Sequence, residues 1–232
     1  MNGVNFQVGM SDPFRSSLEN GAKANLTVMA VRIGILFCPS DAGGGDPGWT
    51  GGTNYRFNLG WVRFPDDANG AAGPFGYSPC AVANVTDGLG STVFTSEKVR
   101  GGLGEATLDP FRHMIVASGF GNDPDEVLAT CQEQVGTPRG FDTRSGLSWF
   151  MGSLSHTLYD HVQGPNSRTP DYIIYGIAPV AGLLGARSAH GSGVYAGMGD
   201  GSVRYVRNGV DRVIWKAIGT RGRGEITNSD SF

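Results

Sequence analysis

Residues 186–225 read A-R-S-A-H-G-S-G-V-Y-A-G-M-G-D-G-S-V-R-Y-V-R-N-G-V-D-R-V-I-W-K-A-I-G-T-R-G-R-G-E, and this stretch decides the fold. Gly193 to Met198 and Ser202 to Val206 are runs of small and β-favouring residues on either side of Gly199-Asp200-Gly201. Asp-Gly between two such runs predicts a β-hairpin with Gly201 at positive φ. Beyond it, Val210, Val213, Ile214, Ala217 and Ile218 recur at helical spacing, which predicts a short helix with Asp211, Arg212 and Lys216 turned outward. Trp215 lies at the edge of that apolar stripe and is expected to be largely buried, and Gly219 ends the helix.

Working outward, the same local signals place other elements. Asn122-Asp123-Pro124-Asp125-Glu126 supplies a cap, a first-turn proline and acids at the positive end of a helix dipole. The helix they open buries Val127, Leu128, Cys131 and Val135 and stops at Gly136. Strands are expected at Tyr55 to Trp61, Ser91 to Val99 after a turn at Asp87-Gly88, Arg112 to Ala117, and Tyr172 to Ala178. Nearer the start, Asn2 to Val8 reads as a strand and Ser11-Asp12-Pro13 as a helix opening that Asn20-Gly21 closes. Leu26 to Phe37, rich in Val, Ile and Leu without a helical stripe, reads as a central strand buried on both faces. Asp41 to Gly52 reads as a long surface loop, and Val180 to Arg187 as a glycine-broken apolar link.

The 232 residues suit a single domain spanning 1–232, with no repeat or linker dividing it. Thirty-eight glycines and 12 prolines, with 17% charged residues, favour short strands and many turns over long helices. The implied fold class is α+β: a mainly antiparallel sheet with long Gly/Pro-rich loops, two or three short helices, and the C-terminal hairpin and helix. A net charge of −3 gives no electrostatic reason to bind nucleic acid. The longest apolar run, Val28 to Cys38, contains Arg32 and is far short of the ~20 residues a membrane span needs. The first ten residues have neither the basic start nor the apolar centre of a signal peptide.

His190, nine intervening residues, then Asp200-Gly201, followed by Trp215 and by Gly224-Glu225, form a signature. With Phe37-Cys38-Pro39-Ser40-Asp41, Val85 to Thr92, Leu158-Tyr159-Asp160-His161-Val162 and Pro165-Asn166-Ser167, it resembles a pseudopilin-like family abundant in planctomycetes, known as domain of unknown function 1559. Glu97 closes a further block of the kind Thr-x-x-x-x-Glu that the family often shows. The resemblance spans nearly the whole chain. It implies a pilin-like fold, an exported protein of the periplasm, envelope or cell surface, and a hydrophobic pilin helix that either lies upstream of Met1 or has been lost in this member. It also implies a non-enzymatic structural subunit that packs against itself or against other subunits of a larger complex or filament.

Cys38, Cys80 and Cys131 are an odd number of thiols. Cys38 and Cys80, both next to Pro-Ser or Ser-Pro loops, are the disulfide candidates, and three buried free thiols are the alternative. The family often has a cysteine where this chain has Tyr172, which implies that Cys131 has lost its partner. No cofactor is expected, with calcium the one ion to weigh, because some pseudopilins hold it in a C-terminal loop. Its candidate ligands are Asp41, Asp46, Asp87 and Asp123.

Complete catalytic patterns are missing. His156 and His161 are five apart with no glutamate at zinc-protease spacing, and Gly191-Ser192-Gly193 is too short for a nucleophile elbow. His190 at the open end of the hairpin lies about 30 Å from Asp200 at the turn, so those two cannot act as a dyad. His190, Asp200, Gly201, Trp215 and Glu225 are therefore assigned to architecture. Trp49, Trp61 and Phe75, in glycine- and proline-rich loops, are the contact candidates for a partner. They serve equally as stacking platforms for a glycan beside Asp66, Asp67 and Asn69, the second functional reading. A hydrolase using His190 is the third.

Overall fold

The computed structural model of the chain describes residues 4–5, 20–45, 48–62, 71–76, 78–118, 123–136, 139–175 and 181–225. The expected helix opening at 11–13 and most of the strand at 2–8 lie outside them, as do Asp46, Asp66, Asp67 and Asn69.

The predicted hairpin is present as β8 (Gly193–Met198) and β9 (Val203–Arg207), paired antiparallel from Gly193↔Arg207 to Gly197↔Val203. Its turn differs from a two-residue loop. The Met198 N–H donates to the Ser202 carbonyl, the Gly201 N–H donates to the Met198 carbonyl, and of the three loop residues only Gly201 has positive φ, at 86°. This is a three-residue loop with the glycine in the left-handed position.

The hairpin forms one edge of a five-stranded sheet, in order β5-β1-β2-β8-β9, with β1 Tyr55–Asn58, β2 Val93–Glu97 and β5 Leu158–Tyr159. All its pairings are antiparallel except β1 with β5. Alternation decides what each face does. Val93, Val194, Ala196, Met198 and Val206 point inward, where they pack with Tyr159, Ala186, Trp215 and Ile218. Phe57, Thr95, Gly197 and Val203 stand in register on the other face, with Tyr195 beside Tyr205.

A second sheet, β4-β3-β6-β7, comprises β3 (Met114–Val116), β4 (Phe141–Asp142), β6 (Asp171–Ile174) and β7 (Ala181–Leu183). It is buried on both sides. Ile115, Tyr172 and Ile174 face the helix α2 (Pro124–Glu133), against Val127, Leu128 and Cys131, while Met114 and Ile173 face Leu59, Leu154 and Leu158. Together the two sheets and the helices make the α+β fold expected from the sequence.

Helix α2 begins as its residues dictate: Asp123 caps it, accepting the backbone N–H groups of Asp125 and Glu126, and Pro124 opens it. It ends three residues before Gly136, and Val135 is exposed rather than part of the buried face. The C-terminal helix α3 (Arg212–Ala217) is capped by Asp211. Its buried side is set by Trp215, at 0% exposure, and not by Val213, which is 74% exposed. Arg212 and Lys216 do not point away either, since both reach Asp125 on α2.

The early chain departs most from expectation. Asn20–Met29 is a helix, α1, running through the residues expected to close one and into the segment expected to be a central strand. Helix-favouring Ala, Lys, Leu and Met outweigh the roughly 1 kcal/mol cost of one glycine, and Asn25 and Met29, four apart, are both buried. A 3-10 turn at Gly34–Leu36 comes next, with Val31 and Ile35 exposed. Carbonyls in this segment are served from elsewhere: Val31 accepts the Trp149 Nε1–H and Leu36 the Asn54 N–H. The end of the supposed surface loop, residues 50–52, is buried. At Gly51 a Cβ would strike the Val31 carbonyl oxygen, so the close approach requires glycine. The link after residue 180 forms β7, too short and glycine-broken to announce itself. Among the described residues no helix is long and apolar enough to cross a membrane.

Candidate functional site

The motif blocks, scattered through the sequence, meet around the hairpin. At its tip, Asp200 accepts the Ser202 N–H and hydroxyl, which hold its carboxyl below the usual carboxylate range. The tip docks on the 85–92 block, with the Gly199 N–H on the Thr92 carbonyl and the Asp200 N–H on that of Leu89. Asp87 in that block fastens the chain end by accepting the Thr220 hydroxyl and the N–H groups of Arg223 and Gly224. The Thr220 hydroxyl also reaches Glu225, at 3.0 Å. At the hairpin's base, Asn166, in the left-handed region at φ 51°, donates to the Gly193 carbonyl and to Asn208. It also accepts the Ser188 N–H.

Beneath the sheet lies a neutral aromatic stack. The His161 ring sits 3.9 Å from that of Trp215, its Nδ1–H donates to the Trp215 carbonyl, and its Nε2 accepts the Tyr159 hydroxyl at 3.0 Å. Burial pushes its imidazole down to about 3, against the pull of the Trp215 carbonyl. His156, likewise buried and with Arg56 and Arg144 nearby, is also pushed down to about 3. Neither stands on a helix.

One constellation brings together reactive groups from three distant blocks. The His190 Nε2 lies 3.6 Å from the Cys38 sulfur and 3.5 Å from Glu97 Oε1. Cys38 is buried, the Glu97 side chain is 5% exposed, and the His190 side chain, 35% exposed, opens the group to solvent. Each is positioned by neighbours. The Cys38 N–H donates to Asn54 Oδ1, and Asn54 donates in turn to Asp41 and to the Lys98 carbonyl. Glu97 Oε2 accepts the Tyr195 N–H at 2.8 Å. The His190 N–H donates to the Ser188 hydroxyl, and its ring meets Tyr195 edge to face.

This arrangement is not that of a thiol protease. There the imidazole uses one nitrogen for the thiol and the other for the carboxylate; in this cleft one nitrogen faces both.

Behind the trio is a buried ionic cluster. Lys98 and Arg187, both almost fully buried, converge on Asp171, which also accepts the Gly185 N–H. Burial works against the Asp171 charge, but Arg187 and Lys98 outweigh it and hold the carboxyl below its ordinary value. Sequence reading misses this cluster, because nothing local in a lone Asp at the start of a β-strand announces a partner 73 residues away.

Among the described residues, the remaining candidates do not assemble into a site. Asp41 is buried with both oxygens engaged, by the Gly43 and Arg100 N–H groups, Asn54 and Arg112. Burial opposes its charge, but those donors prevail and lower its pKa. Asp87 and Asp123 are likewise occupied by donors, at the chain end and the α2 cap. Cys38 and Cys80 are not joined, and all three cysteines are free thiols. Cys38 faces His190, while the Cys80 thiol donates to the Ala81 carbonyl.

Trp61 packs against the cores on both sides of the second sheet, with Lys216 Nζ 4.0 Å over its ring, so it covers the molecule's own interior. Trp49 is 38% exposed. Phe75 lies over the outer face of the five-stranded sheet, 4.7 Å from Phe57 and 5.5 Å from Phe94.

Fold and site together define a class: an α+β protein whose motif residues clamp a C-terminal hairpin and helix, with a thiol, an imidazole and a carboxylate converging at the hairpin's base. A family model described as a protein of unknown function, DUF1559, matches residues 7–212, and the chain belongs to that family. No curated protein and no solved structure matches the chain.

Proposed function

We propose that this protein is a non-enzymatic assembly subunit of the pseudopilin-like kind, acting outside the cytoplasm and packing against copies of itself or other subunits of an envelope or surface complex. The observation that carries this reading is the outer face of the five-stranded sheet. Its inner face is filled by the core, whereas Phe57, Tyr195 and Val203 on the outer face are 40%, 46% and 67% exposed. Tyr195 and Tyr205 stand side by side there, with ring centroids 5.0 Å apart. Exposed aromatics grouped on one face of a sheet suit a protein contact. The motif residues His161, Asp200 and Trp215 are spent on architecture, which also favours a structural role.

Light scattering over a range of concentrations, together with affinity capture from the native envelope, tests this. Association that weakens when Val203→Glu and Tyr195→Ser are combined is the expected result. A chain that stays monomeric at high concentration and captures no envelope protein overturns the reading.

A further inference from the structure

We propose that Cys38, Glu97 and His190 are the three protein ligands of a zinc-type metal site whose fourth position faces solvent. The three candidate ligand atoms, the Cys38 sulfur, a Glu97 carboxylate oxygen and a His190 nitrogen, all lie within 4.8 Å of one another. Their separations are informative. Bonds of about 2.3 Å to sulfur, 2.05 Å to nitrogen and 2.1 Å to oxygen at tetrahedral angles place S and N about 3.5 Å apart, and N and O about 3.4 Å apart. The observed distances are 3.6 and 3.5 Å. The third separation, sulfur to carboxylate oxygen, is within 4.8 Å against about 3.6 Å for ligation, so an ion at the common centre draws those two groups together by about 1.2 Å at most. A single nitrogen facing both other groups, which defeats a proton relay, is what ligation requires.

The donor set selects the ion. Thiolate and imidazole favour zinc and similar borderline cations over calcium or magnesium, which take oxygen. Binding replaces the thiol proton by the metal and releases that proton to solvent, and the thiolate and carboxylate then balance a divalent charge. The supporting shell is present: the Tyr195 N–H holds the far oxygen of Glu97, Asn54 fixes the Cys38 backbone, and Ser188 fixes that of His190. Lys98 and Arg187 line the same cleft but are turned to Asp171, so they do not compete for Glu97. The ion would tie the segment after the first 3-10 turn to the end of β2 and to the hairpin's base. This inference does not depend on the assembly reading, and its test reads metal rather than association.

The test is titration of the full chain, stripped of metal under reducing conditions, with Zn²⁺ by calorimetry and with Co²⁺ by absorbance. One equivalent per chain is expected, with intense tetrahedral d–d bands and a thiolate-to-cobalt charge-transfer band. Cys38→Ser should abolish the charge-transfer band, and Cys38→Ser, His190→Ala and Glu97→Gln should each weaken Zn²⁺ binding by at least about tenfold. Circular dichroism without metal checks folding, and Glu97→Gln keeps an oxygen for the Tyr195 N–H should the other variants fold poorly. Less than stoichiometric uptake by the wild-type chain overturns the proposal, as does a charge-transfer band that survives Cys38→Ser, which would place the ion on Cys80 or Cys131.

Discussion

Asp171 holds two buried cations, and removing it differs sharply from removing either of them. Asp171→Asn leaves Lys98 and Arg187 in the interior without their carboxylate, and breaking a buried pair in this way typically costs about 3–5 kcal/mol. Lys98→Met should cost less than half of that, because Asp171 keeps Arg187 and the Gly185 N–H. Urea denaturation of the two variants checks the asymmetry, and equal losses would mean that the lysine is as necessary as the acid. The buried titratable groups also fix a pH dependence. His156 and His161 stay neutral in the fold down to about 3, whereas unfolded histidine protonates near pH 6.5. Their contribution to stability is present above about 6.5 and is lost as pH falls towards 3. Asp160 has the opposite sign. Burial raises its carboxyl to about 7 despite the Leu184 and Val162 N–H groups, so its contribution is present below about pH 4 and is lost as pH rises through 7. Near pH 5 unfolding takes up two histidine protons and releases one from Asp160. The net uptake is about one proton, which predicts a fall in stability of about 1.4 kcal/mol per pH unit on acidification. Asp160→Asn should roughly double that slope, and a slope unchanged by the substitution would show that Asp160 is ionised in the fold.

At the scale of elements, the glycine of the hairpin loop and the tryptophan of α3 make separate predictions. Gly201 has φ 86° with open space where a Cβ would stand, so a side chain there meets strain but no clash. Gly201→Val should cost about 1–2 kcal/mol. Gly201→Asn should cost clearly less, because asparagine tolerates the left-handed region, and thermal melts of both variants decide it. Trp215→Ala removes a fully buried ring that stacks on His161 and donates to the Gln163 carbonyl at 2.8 Å. The expected loss is about 3–5 kcal/mol. An unchanged melting point would contradict its place in the core. These elements are legible in the sequence because their signals are local: an Asp-Gly turn for the hairpin and apolar residues at helical spacing for α3, as Asp123-Pro124 is for the start of α2. Helix α3 shows the limit. Six residues are too few to phase an apolar stripe, so Val213 reads as inward although it is 74% exposed, while Trp215 carries the burial. Helix α1 escapes a sequence reading because the β-branched run after Leu26 outweighs the alanines before it. The candidate site is half legible: His190, Cys38 and Glu97 each stand out in a block, but their meeting is a product of topology across up to 152 residues.

For the molecule as a whole, the proposed association requires a surface that can make contact without compromising the fold beneath it. The five-stranded sheet separates the two tasks by alternation, since Val194, Ala196 and Met198 of β8 and Val206 of β9 serve the core while Tyr195, Val203 and Tyr205 stand on the other face. The edge strand β9 carries Arg204 and Arg207, charges of the kind that discourage edge-to-edge strand addition. Contact through the face is therefore favoured over extension of the sheet. Val203 stands at the centre of this argument: it pairs with Gly197, which has no side chain to cover it, and it is 67% exposed. Val203→Lys should leave the denaturation midpoint nearly unchanged, within about 0.5 kcal/mol as for other surface substitutions. It should nevertheless reduce association measured by light scattering or capture of envelope partners. Val206→Lys, one face over and fully buried, should do the reverse and unfold the domain, because it places an unpaired ammonium beside Trp215 in the core. If Val203→Lys lowers stability as much as Val206→Lys does, the outer face is covered by the protein's own chain, and the partner surface must lie elsewhere.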